Sequence, residues 1–282
     1  MAGTWSNSIG LLKASWKVLS THRSLAVFPL LSGIASTLLI AAIMVPAAFL
    51  SGLVGGNLDN SWYFYLFLLL FYFLASFVVI FMNTGLVSCA RVSLDGGTPR
   101  VSEGLGVAFG HLGRIAVWSL VNSTVGLVLR LIRDRGGFLG SIVAGLVAVA
   151  WNLITFFVIP LMIFQGLGVI GSIKESAGLF KRTWGENVIA RFSIGMIFFL
   201  LSLLGIIPIV LVAFTGNAVL IVVVSAVVVL YAVALGILST SLNGILSVAL
   251  YDYATTGEVP SSFTPEAITA AFAPRRGHAS RR

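Results

Sequence analysis

Between Arg191 and Asp252 the chain carries no Asp, Glu, Lys or Arg. Several other runs also exceed eighteen apolar residues without a charge, the length at which a helix crosses a hydrocarbon core of about 30 Å. Inside a bilayer only helices and closed barrels satisfy their own backbone hydrogen bonds. A barrel needs alternating segments of about ten residues, and these runs are continuous. The fold class is therefore all-α, a polytopic membrane bundle. Composition agrees, with 58% hydrophobic residues, 9% charged and a mean hydropathy of +1.06, where a soluble domain is about a quarter charged.

Six spans are expected, at about 25–51, 62–90, 111–130, 138–164, 188–214 and 218–250, in a single domain over 1–273. The third is the weakest because it holds Asn122, Ser123 and Thr124. The last is long enough to tilt, kink or project past the bilayer. Residues 274–282, "PRRGHASRR", read as a disordered basic tail. The start has Lys13, Lys17 and Arg23 spread through it and no apolar h-region, so a cleavable signal is not expected.

The net charge of +8 does not point to nucleic acid, because the basic residues are scattered over short loops and tails. With the N-terminus cytoplasmic, fourteen of the seventeen Lys and Arg fall on the inside. That distribution predicts a multi-pass protein of the cell membrane with both termini cytoplasmic. The segment "RLIRDRGG", with Arg130, Arg133 and Arg135, runs against the rule. Either Asp134 offsets it while Arg130 snorkels outward, the preferred reading, or spans three and four form a re-entrant pair. Single Cys89 cannot form an intramolecular disulfide.

Short segments recur. "SIGLLKASW" (Ser8–Trp16) and "SAGLFKRTW" (Ser176–Trp184) match at Ser, Gly, Leu, Lys and Trp without a gap. "EGLGVAF" (Glu103–Phe109) and "EAITAAF" (Glu266–Phe272) share Glu, Ala and Phe. Each of the latter follows a small-residue pattern (Gly85, Ser88, Ala90; Gly244, Ser247, Ala249) and a turn with Gly and Pro (Gly97 and Pro99; Gly257 and Pro260). The expected unit is a cytoplasmic helix plus a two-span hairpin, used three times.

On a helix, Ile9, Leu12, Trp16 and Leu19 make an apolar stripe flanked by Lys13 and Lys17. Ile173, Ala177, Phe180 and Trp184 do the same beside Lys174, Lys181 and Arg182. An apolar stripe with basic flanks and a Trp suits a helix lying in the headgroup layer. Lys13, Trp16, Lys17, Lys181, Arg182 and Trp184 are thus the candidates for contact with anionic lipid headgroups or a partner protein. Catalysis is disfavoured, since Glu175 and Glu186 have no His or second carboxylate at a working spacing.

Asn83, Asn122, Asn152 and Asn243 fall inside spans, and Gln165 ends one. A buried amide is costly unless paired, so these should face the interior. Interhelical glue is the preferred reading and the lining of a polar path the other. Gly140, Ala144 and Ala148, and Ala232, Gly236, Thr240 and Gly244, are spaced for close helix packing. Pro160 and Pro208 should kink spans four and five. The aromatic run from Trp62 to Phe73 reads as an interface belt continuing into a lipid-facing surface. No P-loop, metalloprotease or nucleophile-elbow motif occurs. His22, His111 and His278 are scattered over separate segments. No cofactor, metal or catalytic residue is expected.

"VIPLMIFQGLG…SIKESAGLFKRTWGENV", "ALYDYATTGEVPSSF…AITAAF" and "WKVLSTHRSLAVFPLLSG" resemble an uncharacterised six-span prokaryotic membrane family of unknown function. That family is similar in layout to the membrane domain attached to some glycerophosphodiester phosphodiesterases. The resemblance covers nearly the whole chain and implies fold and topology but no catalytic residue. Its pattern has an acidic residue just after the Pro of span four, where this chain has Gln165, which argues against an ion-binding role there. The functional expectation is a non-enzymatic scaffold or accessory subunit that engages lipid, a partner protein or a second copy. The alternative is a transporter or permease for a small or lipidic substrate.

Overall fold

The computed structural model describes residues 2–54, 62–184, 188–265 and 268. The expected loop around Asp59, nearly all of Glu266–Phe272, and the basic tail lie outside them. The described residues are helical, with no strand among them. In order they form α1 (Ala2–Thr21), a 3-10 turn (Arg23–Ala26), α2 (Val27–Val54), α3 (Trp62–Leu94), α4 (Val101–Gly110), α5 (Leu112–Ile154), α6 (Val158–Phe164), α7 (Val169–Trp184), α8 (Val188–Ala213) and α9 (Ala218–Thr256). Four stretches among the described residues are long and apolar enough to cross a membrane: Arg23–Ile43, Phe64–Leu94, Leu112–Phe164 and Ala218–Thr256. Ile197–Ala213 is a shorter apolar helix.

Two compact units divide the chain. Leu30–Cys89 and Arg100–Gly178 make one, and Met1–Pro29, Ala90–Pro99 and Leu179–Arg282 make the other. In the first, the longest helix is not straight. Trp151 Nε1 donates to Asn122 Oδ1 at 3.1 Å, although 29 residues separate them. Along a straight helix that interval spans about 44 Å. The chain folds back at Gly137, whose φ of 55° and ψ of −138° is open to glycine and steeply unfavourable for other residues. The return arm lies close: a Cβ on Gly140 would sit 2.5 Å from the Ile132 carbonyl oxygen. Gly140 and Ala144 are buried there, as their small size requires. The first arm, Leu112 to Gly136, rises about 37 Å, more than a hydrocarbon core.

The return arm ends at Ile154, and α6 begins at Val158. Pro160 therefore sits in the first turn of a new helix, where its missing N–H costs nothing, and the break precedes it. The gap strands the Ile154 carbonyl and the Phe157 N–H. Buried Ser176 of α7 serves both, donating to the Ile154 oxygen and accepting from the Phe157 N–H at 3.1 Å.

In the other unit α1 and α9 pack together, with α8 against both. Asn217 caps α9, accepting from the Val219 and Leu220 N–H groups at 3.1 and 3.2 Å. Gly257 ends it in the left-handed conformation. The C-terminal half, Ser241 to Asp252, is buried apart from exposed Asn243. The N-terminal half pairs with α8 through Tyr231, which lies over Gly205 and donates to the Leu201 oxygen at 2.8 Å. Ala232, Gly236 and Thr240 are exposed. The close packing expected of that small-residue face is confined to Gly244.

Candidate functional site

α1 presents two unlike faces. Leu11, Ser15, Val18 and Leu19 are buried, at the i, i+4, i+7, i+8 spacing of one helical stripe. Lys13, Trp16 and Lys17 are exposed, and Ile9 with them. The apolar stripe expected from Ile9, Leu12, Trp16 and Leu19 is therefore not the buried one. Small Ser15 lets the helix approach its neighbours. Trp16, 52% exposed, stands among the lysines, as an indole does at headgroup level.

α7 repeats the arrangement where it can be compared. Val169, Ser172, Ser176 and Leu179 are buried, while Ile170, Lys174 and Lys181 are exposed. In the matched segments Leu11 and Leu179 are both buried, and Lys13 and Lys181 both exposed. The side chains of Arg182 and Trp184 lie outside the described residues. Ile173, Ala177 and Phe180 are half-buried.

The amides within the apolar helices differ in setting. Asn122 is a true interhelical bridge: it donates to Ser76 Oγ of α3 at 3.0 Å and accepts from Trp151 on the return arm. Trp118 stacks on Trp151, centroids 5.9 Å apart. Asn243 is exposed and bonds within its own helix, to the Ser239 carbonyl at 2.8 Å. Asn152 is exposed on the return arm and Asn83 half-buried on α3. Gln165 is an exposed C-cap of α6. Nearby, Arg114 donates to the Met162 oxygen at 3.0 Å. Tyr72, expected to face lipid, instead accepts from Arg130 at 3.3 Å, and Arg130 also pairs with Asp134 at 3.3 Å.

One cluster escaped the sequence reading. Arg91 on α3 pairs with Asp252 on α9 and, at 3.1 Å, with Asp95. Asp252 is buried. Gly96 and Gly257 both adopt positive φ. Arg91 and Asp252 each precede one of these glycines by five residues, and Pro99 and Pro260 each follow one by three. The available signal was the pair of Gly–Pro turns, read without the opposite charges ahead of them. Cys89, buried, donates to the Arg100 oxygen at 3.3 Å. No group of three metal-ligating side chains occurs among the described residues.

No curated protein and no solved structure matches the chain, so the likeness to the membrane domain of glycerophosphodiester phosphodiesterases gains no support from them. One family, described as a family of unknown function, matches residues 61–261. That stretch runs from the start of α3 past the end of α9 and takes in the break before α6, α7 and the "YATTGEVP" turn. With most of its length inside the match, the chain belongs to the DUF6159 family.

Proposed function

We propose that this is a non-enzymatic integral membrane protein that uses α1, and α7 in the same way, to engage anionic lipid headgroups at the cytoplasmic surface of the cell membrane. On this reading it serves as a scaffold or accessory subunit for a membrane partner or a second copy. The observation that carries it is the exposed Lys13, Trp16 and Lys17 set opposite a buried face. Near an anionic surface each Lys contributes about 1 kcal/mol.

The reading includes six crossings with both termini inside, and the helix-plus-hairpin repeat. The return of α5 at Gly137 supports counting two crossings in Leu112–Phe164, and Ile197–Ala213 supplies another. A layout shared with the membrane domain of glycerophosphodiester phosphodiesterases is compatible with an accessory role. A transporter would use the amides to line a path. The bonding of Asn122 to two other helical segments supports glue instead.

The test is hydrogen exchange of α1 in nanodiscs of phosphatidylglycerol against phosphatidylcholine. Protection of residues 9–21 should rise on the order of tenfold in the anionic discs and lose that rise in Lys13→Glu with Lys17→Glu. Protection indifferent to lipid charge would reject the reading.

A further inference from the structure

The tip of the α5 hairpin carries a second concentration of charge, unrelated to α1 and α7. Its residues run Arg130, Leu131, Ile132, Arg133, Asp134, Arg135, Gly136, Gly137, Phe138 and Leu139. Arg130 is committed to Asp134 and to the Tyr72 hydroxyl. That pairing uses the only acid of the tip and ties α5 to α3, giving the turn a fixed base. Arg133 and Arg135 are exposed and form no ion pair among the described residues. Immediately past the turn, Phe138 is 81% exposed and Leu139 is 73% exposed.

We propose that this tip is a docking site for the headgroups of anionic phospholipids. Arg133 and Arg135 are the phosphate ligands, and Phe138 and Leu139 are anchors among the acyl chains. A guanidinium fork matches a phosphodiester bidentately. The two arginines, two residues apart, project about 200° apart around the helix, so each takes its own headgroup. The adjoining Phe and Leu select an amphiphile over a soluble phosphate, which would leave them in water. Under the expected orientation this is also the one basic loop that opposes the positive-inside rule. Lipid binding at that loop accounts for cations that topology does not require.

The test is photo-crosslinking of the full chain in nanodiscs, using headgroup-diazirine phosphatidylglycerol or its phosphatidylcholine counterpart, with yields mapped to the peptide 130–142. The wild type should give several-fold more product with phosphatidylglycerol. Arg133→Gln with Arg135→Gln should abolish that excess, to which each cation contributes up to about fivefold. Arg133→Lys with Arg135→Lys keeps the charge and loses only the fork, so its excess should fall between those of the wild type and the Gln variant, which separates binding from misfolding. Equal yields for the two lipids, or an undiminished excess in the Gln variant, overturn the proposal. So does full competition by soluble glycerol phosphate. Loss of a co-purifying protein with lipid yield unchanged would reassign the tip to a protein partner and overturn it too. Lys13→Glu with Lys17→Glu should leave the tip yield unchanged, so failure at α1 and failure at the tip are told apart.

Discussion

Arg91 answers two carboxylates, and the partner that matters is the buried one. Taking Asp252 out of water is costly unless its charge is met, and Arg91 meets it from another helix. Asp95 is an exposed neighbour one helical turn away, where an ion pair contributes little. Arg91→Ala should therefore destabilise by about 1–3 kcal/mol, read as a lower Tm in detergent, while Asp95→Ala should stay within about 0.5 kcal/mol. Adding Asp252→Leu to Arg91→Ala should cost less than the sum of the singles. Strict additivity would mean the pair does not couple. Only the matched Gly–Pro turns hinted at this pairing in the chain, since 161 residues separate the partners. The amides show the same limit: Asn122 and Asn243 look alike in sequence, yet one bridges helices and the other bonds a carbonyl one turn back.

Among the elements, α5 makes the sharpest demand on single residues. Gly140 has the Ile132 carbonyl where a Cβ would go, whereas nothing lies within 4 Å of a Cβ at Gly145. Gly140→Ala should cost about 1–3 kcal/mol by overpacking, with a matching fall in Tm. Gly145→Ala should be neutral or stabilise by up to about 1 kcal/mol through helix propensity. Equal effects at the two glycines would deny the close approach of the arms. The existence of these helices was legible because hydropathy needs no register. Their faces were not: Ile9 and Trp16 are apolar yet exposed on α1. In a protein bordered by headgroups and lipid, an apolar side chain has two favourable directions. Periodicity finds the stripe without saying which way it points. Ser176 was visible only as one letter of a recurring segment. Its task, serving the two backbone groups stranded before α6, depends on a break that sequence placed no closer than Pro160.

For the whole molecule, the proposed six crossings fix where each loop must emerge. In a Cys89→Ser background, Gly136→Cys should react with a membrane-impermeant maleimide in intact cells. Ser280→Cys should react only after permeabilisation. Labelling of Gly136→Cys only after permeabilisation would show that the arms of α5 enter and leave on one side, as a re-entrant pair does.

Gly137 then has a reach well beyond its own turn. In a chain that threads a bilayer, each crossing toggles the side on which the next segment emerges. In the proposed six-crossing layout, the fold-back at this residue adds one toggle. An α5 running straight through would deliver α7, α8, α9 and the basic C-terminus to the opposite compartment. On that layout, the side on which the segments after α5 emerge rests on one residue able to hold a φ of 55°.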